Sequence, residues 1–173
     1  MRIGVGFDAH PFLAGRPLRL GGAEIPHPAG LSGHSDGDVL LHAVADAILG
    51  AAGLGSLGEY FPDDSEAWRG ADSSLLLDRA ASAAATAGYR VGNVDAVVVA
   101  ESPRVAPHAL RIRARLAEIL GTEPARVSVR GTSSNGLGFP GRGEGIAAIA
   151  VVLLEETGVG SDPAGVRSLP GTA

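Results

Sequence analysis

Two short patterns in this chain have the residue types that chemistry needs. The first is Asp8-Ala9-His10. In extended backbone, residues two apart share a face, so a carboxylate and an imidazole point the same way there. The second is Asp38, His42 and Asp46, spaced by four and therefore on one face of a helix. Asp8, His10 and His42 together offer one carboxylate oxygen and two imidazole nitrogens, the donors of a catalytic zinc site that keeps one position open. With a divalent ion such a trio carries a net charge of about +1, which suits an anionic substrate. A D-x-H tripeptide alone is common by chance. Taken locally, His10 reads as well as a loop residue, and His42 as a satisfied helix histidine. Asp46, one turn beyond His42, fits a carboxylate that orients the imidazole or a plain surface charge.

Other polar groups sit where anions bind. His34 and Ser35 precede the helix, where free N–H groups and the helix dipole favour negative charge; a simple cap explains them equally well. Thr132-Ser133-Ser134 ends a strand before a Gly-rich turn, a place for phosphate or for a polar turn. Arg142 either clamps a phosphate or pairs with Glu144. His27 and His108 have no evident partner and read as surface residues.

These groups need elements to hold them. Arg2 to Asp8 alternate, with Ile3, Val5 and Phe7 on one side and Gly4, Gly6 and Asp8 on the other, as in a strand that Pro11 is expected to end. Residues 17–25 read as a hairpin turning at Gly21-Gly22. Ser35 and Asp38 resemble a capping box with Asp in place of Glu. A helix follows to about residue 52, with Leu40, Val44, Ala47, Ile48 and Ala51 as its core stripe and Gly53 at its end. Residues 53–64 read as a Gly-punctuated loop. Further on come a helix capped by Asp72 or Ser73, a strand at 95–100, a Pro-bounded loop, a helix at 108–120 and a strand at 127–133. The last strand, 146–154, is nearly all apolar and is expected to be buried on both faces. The order predicts an α+β fold, a mixed β-sheet with helices on one face, and oligomerisation as the way to cover the other. Residues 1–157 form the expected single domain, and 158–173 a disordered tail rich in Gly, Pro and Ser.

The 173 residues suffice for one domain with a real core. A net charge of -5 argues against nucleic acid as a partner. With no Cys, disulfides and thiolate metal sites are excluded, which leaves His and carboxylate as ligands. Neither a signal peptide nor a membrane span is evident, and a cytoplasmic location is expected.

Three stretches carry a resemblance: R-I-G-V-G-F-D-A-H at the start, G-H-S-D-G-D-V-L-L-H-A-V-A-D-A-I-L-G-A-A-G-L-G from Gly33, and G-L-G-F-P-G-R-G-E-G-I-A from Gly136. In order and spacing the chain resembles the 2-C-methyl-D-erythritol 2,4-cyclodiphosphate synthases, zinc cyclases of the non-mevalonate isoprenoid pathway, from Met1 to about Leu154. The resemblance implies a homotrimer with sheets packed around a three-fold axis and active sites between subunits. It implies a CMP-releasing phosphorus–oxygen lyase. In that reaction the 2-phosphate of 4-diphosphocytidyl-2-C-methyl-D-erythritol 2-phosphate attacks the β-phosphorus to form the cyclic diphosphate. By the same likeness Asp8, His10 and His42 hold Zn²⁺, and His34, Thr132 and Ser133 are catalytic. Ser35, Gly58, Phe61 and Asp63 match positions around the methylerythritol phosphate, with Ser56 in the same segment. Ala100, Pro103, Arg104, Val105 and Ala106 match a cytosine-binding loop from the adjacent subunit. Phe139 and Arg142 match residues lining a channel on the trimer axis.

Three positions depart from the family pattern. Ser56 stands where an acid usually contacts the methylerythritol hydroxyls. Asn135 stands where Glu or Asp usually holds a second ion, Mg²⁺ or Mn²⁺, with the substrate diphosphate, so that ion should bind more weakly. Arg104 replaces a usual Lys. The two lost acids leave two alternatives to the cyclase: a paralogous zinc enzyme for another cytidyl-diphosphate substrate, and a non-catalytic diphosphate-binding trimer.

Overall fold

The computed structural model describes residues 1–62, 68 and 70–158. Five strands form a mixed sheet in the order β4-β1-β7-β5-β6. They are β1 (Arg2–Ala14), β4 (Ala29–Leu31), β5 (Tyr89–Val99), β6 (Val127–Thr132) and β7 (Gly145–Glu156). Only β5 and β6 run parallel; β7 is antiparallel to both β1 and β5. The expected mixed sheet with helices on one side is what forms. A separate hairpin pairs β2 (Leu18–Leu20) with β3 (Ala23–Ile25). Its turn, Gly21-Gly22, has φ of 61° and 73°, the positive values a two-residue hairpin of this kind requires.

Helix α1 (Val39–Ala52) lies on the sheet, with α3 (Ser73–Thr86) packed against it and α4 (Ala109–Ile119) over β6. Leu40, Leu41, Ile48 and Leu49 are fully buried, each worth about 1.5–3 kcal/mol of apolar transfer. The helix closes at Gly53, φ 74°, whose N–H reaches the Gly50 carbonyl. Asp72 caps α3 through the Ser74 N–H, the first of the two expected alternatives.

Several local expectations need correction. Pro11 does not end β1: it stays in register with Gly145, and its carbonyl accepts from Ser32 as the strand passes from β7 to β4. The cap of α1 is Asp38, not a Ser35 box. Its carboxylate accepts from the N–H groups of Leu40, Leu41, Gly21 and Gly22, which ties the helix start to the hairpin turn. The 53–64 loop contains a short helix, α2 (Leu57–Tyr60), and the 136–145 connection contains another, α5 (Gly138–Gly141). β7 is buried on one face only, since Ile149 and Val151 are each 40% exposed. They share the sheet face turned away from the helices with Ile3, Val5 and Phe7 of β1. Beyond Gly158, the expected tail lies outside the described residues.

Candidate functional site

The site begins with two glycines. Gly4 and Gly6 face α1, and a Cβ on either would lie 2.0 Å from a helix carbonyl oxygen. Strand and helix therefore meet backbone to backbone. Asp8 and His10 continue the same strand face, and His42 projects from the first turns of α1 toward them.

Asp8 Oδ1 accepts from the Ala9 N–H at 2.8 Å, which turns Oδ2 toward the histidines. Oδ2 lies 2.7 Å from His10 Nε2 and 3.0 Å from His42 Nδ1, and the two nitrogens are 3.1 Å apart. Three donors of a tetrahedral zinc site stand about 3.3 Å apart around the ion. The trio therefore fits a divalent metal in donor chemistry and in spacing. Two ring nitrogens 3.1 Å apart beside one carboxylate oxygen cannot both direct a proton at each other; a cation shared by all three resolves the conflict. His10 also hydrogen-bonds the Ser32 backbone.

Burial would raise the Asp8 carboxyl, but hydrogen bonds and charge from His10 and His42 outweigh it and hold the group well below the usual carboxylate range. Burial would lower His10; the Asp8 bond and charge, with the Ser32 bond, prevail and raise it.

The trio opens on a cavity of about 290 Å³ that His34, Ser35, Gly58 and Phe61 also line. The structure thus brings together four of the expected substrate and catalytic positions with all three ligands. Leu57, Trp68 and Leu76 give the cavity an apolar side, and Trp68 meets the Phe61 ring edge-on at 5.0 Å. Neither Trp68 nor Leu76 carries a functional signal in the sequence: Trp68 is a lone aromatic between Ala67 and Arg69, and Leu76 reads as one residue of an apolar helical run. Ser35 is buried, and its hydroxyl lies 2.9 Å from His42 Nε2. Asp46 does not orient His42: its carboxylate accepts from the Leu57 N–H at 3.0 Å and so holds the start of α2. Ser56 is not among the cavity's lining residues. It caps α2, in a reciprocal capping box with Glu59. Asp63 lies outside the described residues.

A second cavity, about 400 Å³, forms where β5 and β6 end. Ala100, Pro103, Arg104, Val105 and Ala106 line it with Thr132 and Ser133, so the expected loop and hydroxyl pair do meet. Asn135 sits next to it at φ 53°, its Oδ1 3.3 Å from the Ser133 hydroxyl. The Glu101 carboxylate accepts from the N–H groups of Ser134 and Gly136 and so shapes that turn. Arg142 pairs with Glu144 at 2.7 Å, in the open, and Phe139 lies in α5. The register Asp8↔Ala148, Ala148↔Val98, Val98↔Gly131 puts both cavities at one end of the sheet. Three strand spacings, about 14 Å, separate β1 from β6.

The chain and its fold are similar to those of known proteins. The YgbB family model matches residues 1–155. A 2-C-methyl-D-erythritol 2,4-cyclodiphosphate synthase from Shouchella clausii is 54% identical over 156 residues, covering 90% of this chain and 98% of that protein. A solved structure of a synthase of the same name, in a CDP-bound form, superposes with a TM-score of 0.82 at 37% identity, covering 89% of this chain and all of that one. The IspF of Plasmodium falciparum in complex with CDP superposes with a TM-score of 0.78 at 31% identity, covering 90% and 96% of the two chains.

Proposed function

This chain belongs to the YgbB family, and from that membership we propose that it converts 4-diphosphocytidyl-2-C-methyl-D-erythritol 2-phosphate to 2-C-methyl-D-erythritol 2,4-cyclodiphosphate with release of CMP. The observation that carries the reading is the convergence of Asp8, His10 and His42 in a cavity shared with His34, Gly58 and Phe61. The substrate brings its own nucleophile, so the protein's task is to place one phosphate against another and to offset their charge.

Asp8 Oδ2, His10 Nε2 and His42 Nδ1 would hold Zn²⁺. Bound there, the ion supplies Lewis acidity toward a phosphate oxygen. His34, which lines the cavity, would contact the attacking 2-phosphate. Gly58 and Phe61 give the methylerythritol carbons a small, partly apolar seat. The second cavity suits the cytidine end: Arg104 offers charge, Thr132 and Ser133 offer hydroxyls to the diphosphate, and the loop from Ala100 supplies the base pocket. Asn135 offers a neutral oxygen to a second ion, Mg²⁺ or Mn²⁺. Both cavities must serve one substrate, yet within a chain they lie three strands apart. A homotrimer, its open sheet faces turned to the three-fold axis, would set the second cavity of one subunit against the first of the next. Phe139 and Arg142 would then line the axis. The exposed Ile3, Val5 and Phe7 support that packing. No described helix is long and apolar enough to cross a membrane, and we place the enzyme in the cytoplasm.

The test is CMP release from the named substrate by the zinc-loaded protein with Mg²⁺. Activity is expected. It should be lost on chelation, return with Zn²⁺, and fall more than about 100-fold in His42→Ala, since losing even a group that merely supports a ligand costs 10- to 100-fold. No CMP at high enzyme concentration would refute the assignment.

A further inference from the structure

His42 presents Nδ1 to Asp8 and His10, so a metal-binding His42 must carry its proton on Nε2. Two buried hydroxyls surround that nitrogen: Ser35 Oγ at 2.9 Å and Ser73 Oγ at 3.0 Å. They lie 3.0 Å from each other. Ser73 Oγ also makes a short hydrogen bond to Asp36 Oδ1. A carboxylate only accepts, and a hydroxyl has one proton to give. Ser73 therefore donates to Asp36 and turns its lone pairs toward His42 Nε2 and Ser35. Ser35 Oγ accepts the Gly37 N–H at 3.3 Å and is left to donate to Ser73. Every hydrogen bond in the cluster then runs one way, toward Asp36. The reverse polarity, Ser73 donating to Nε2, would leave the proton on Nδ1 and close that atom to a metal.

The backbone fixes this arrangement. Asp36 N–H donates to the Ala71 carbonyl at 3.0 Å, and Gly70 N–H donates to the His34 carbonyl at 2.7 Å. The loop before α1 is thereby laced to the start of α3, where Ser73 is wholly buried. Arg19 stands 4.0 Å from the other Asp36 oxygen.

We propose that Asp36 and Ser73 are positioning residues, a carboxylate–hydroxyl relay that holds His42 with its proton on Nε2 and so sets the affinity of the Asp8–His10–His42 site for its metal. The proposal rests on the metal reading given above. Neither residue need touch substrate. The relay belongs to metal loading, and its effect is to be read on the ion.

The experiment measures zinc affinity by chelator competition on stripped, folded protein, and the visible spectrum of the Co²⁺-substituted form. Ser73→Ala is expected to weaken zinc about tenfold and to shift the Co²⁺ bands, because the ligand field of His42 changes. Asp36→Asn, whose amide can donate to Ser73 and reverse the polarity, is expected to do the same, and it serves alone if Ser73→Ala does not fold. Zinc bound within twofold of wild type, with an unchanged Co²⁺ spectrum, in whichever of these variants folds would overturn the relay. Wild-type protein that takes up no zinc would instead overturn the metal reading itself, and the relay with it.

Discussion

A Cβ atom on Gly6 would sit 2.0 Å from the carbonyl oxygen of Ala43. The obstacle is helix backbone, which no rotamer change can move aside. Gly6→Ala must push α1 off β1, and His42, one residue from Ala43, moves with it. The expected cost is about 3 kcal/mol, at the upper end of overpacking penalties, with zinc affinity falling in parallel. Denaturant unfolding of the stripped protein and a zinc titration read the two effects. Full stability in Gly6→Ala would show that the strand–helix contact is looser than described.

The Asp8–His10 pair should give metal-free protein a characteristic pH response. Asp8 is depressed in the fold, so its contribution is present above the unfolded value of about 3.9 and is lost as pH falls through the folded one. His10 is raised, so its contribution is complete below about 6.5 and is lost as pH rises through its folded value. The pair therefore stabilises most between roughly pH 4 and 6.5. Urea midpoints of stripped protein should stay level between about pH 5.5 and 6.5 and fall by about pH 8, and Asp8→Asn should flatten that fall. An equal slope in the variant would assign the effect to other groups.

Much of this was legible in the sequence because it is local. Gly21-Gly22 announces its hairpin, Gly53 its helix end, and Asp8 and His10 share a face by strand period alone. The residues misread are those whose partners are distant. Asp38 shares a helix face with His42 in the sequence, but its carboxylate is used up on the hairpin turn and the first helical N–H groups. Asp46 likewise went to Leu57. Pro11 reads as a strand end, yet β1 continues because its carbonyl finds Ser32 where its missing N–H is not needed. Ser73 gave no sign beyond a helix cap, since its tie to His42 spans 31 residues.

Asn135 holds a left-handed backbone at φ 53°, a conformation Asn and Asp accept more readily than Glu. Asn135→Asp should keep the turn and restore a negative charge beside Ser133. The Mg²⁺ concentration for half-maximal CMP release is then expected to fall roughly tenfold, since site charge tunes affinity for hard cations. Asn135→Glu should gain less, because the turn must bear the strain. A Mg²⁺ titration identical to wild type in Asn135→Asp would mean that this side chain does not face the second ion.

Val5 and Val151 are directly opposed across β1 and β7 on the open sheet face, 65% and 40% exposed. Phe7 and Ile149 form the next rung toward the metal trio. An apolar strip of this kind marks an interaction surface, and the proposed trimer would cover it. Light scattering is expected to give three chain masses for wild type and one for the double substitution Val5→Asp, Val151→Asp. The ligands all come from one chain and face the helix side, so the monomer should still bind one zinc. Its CMP release should nonetheless fall by at least about 100-fold, because a neighbour's Arg104 and Thr132 cavity, proposed to seat cytidine, would no longer meet the Asp8–His10–His42 trio. A monomer that turns over at the wild-type rate would place both cavities' work within a single subunit and end the case for a shared site.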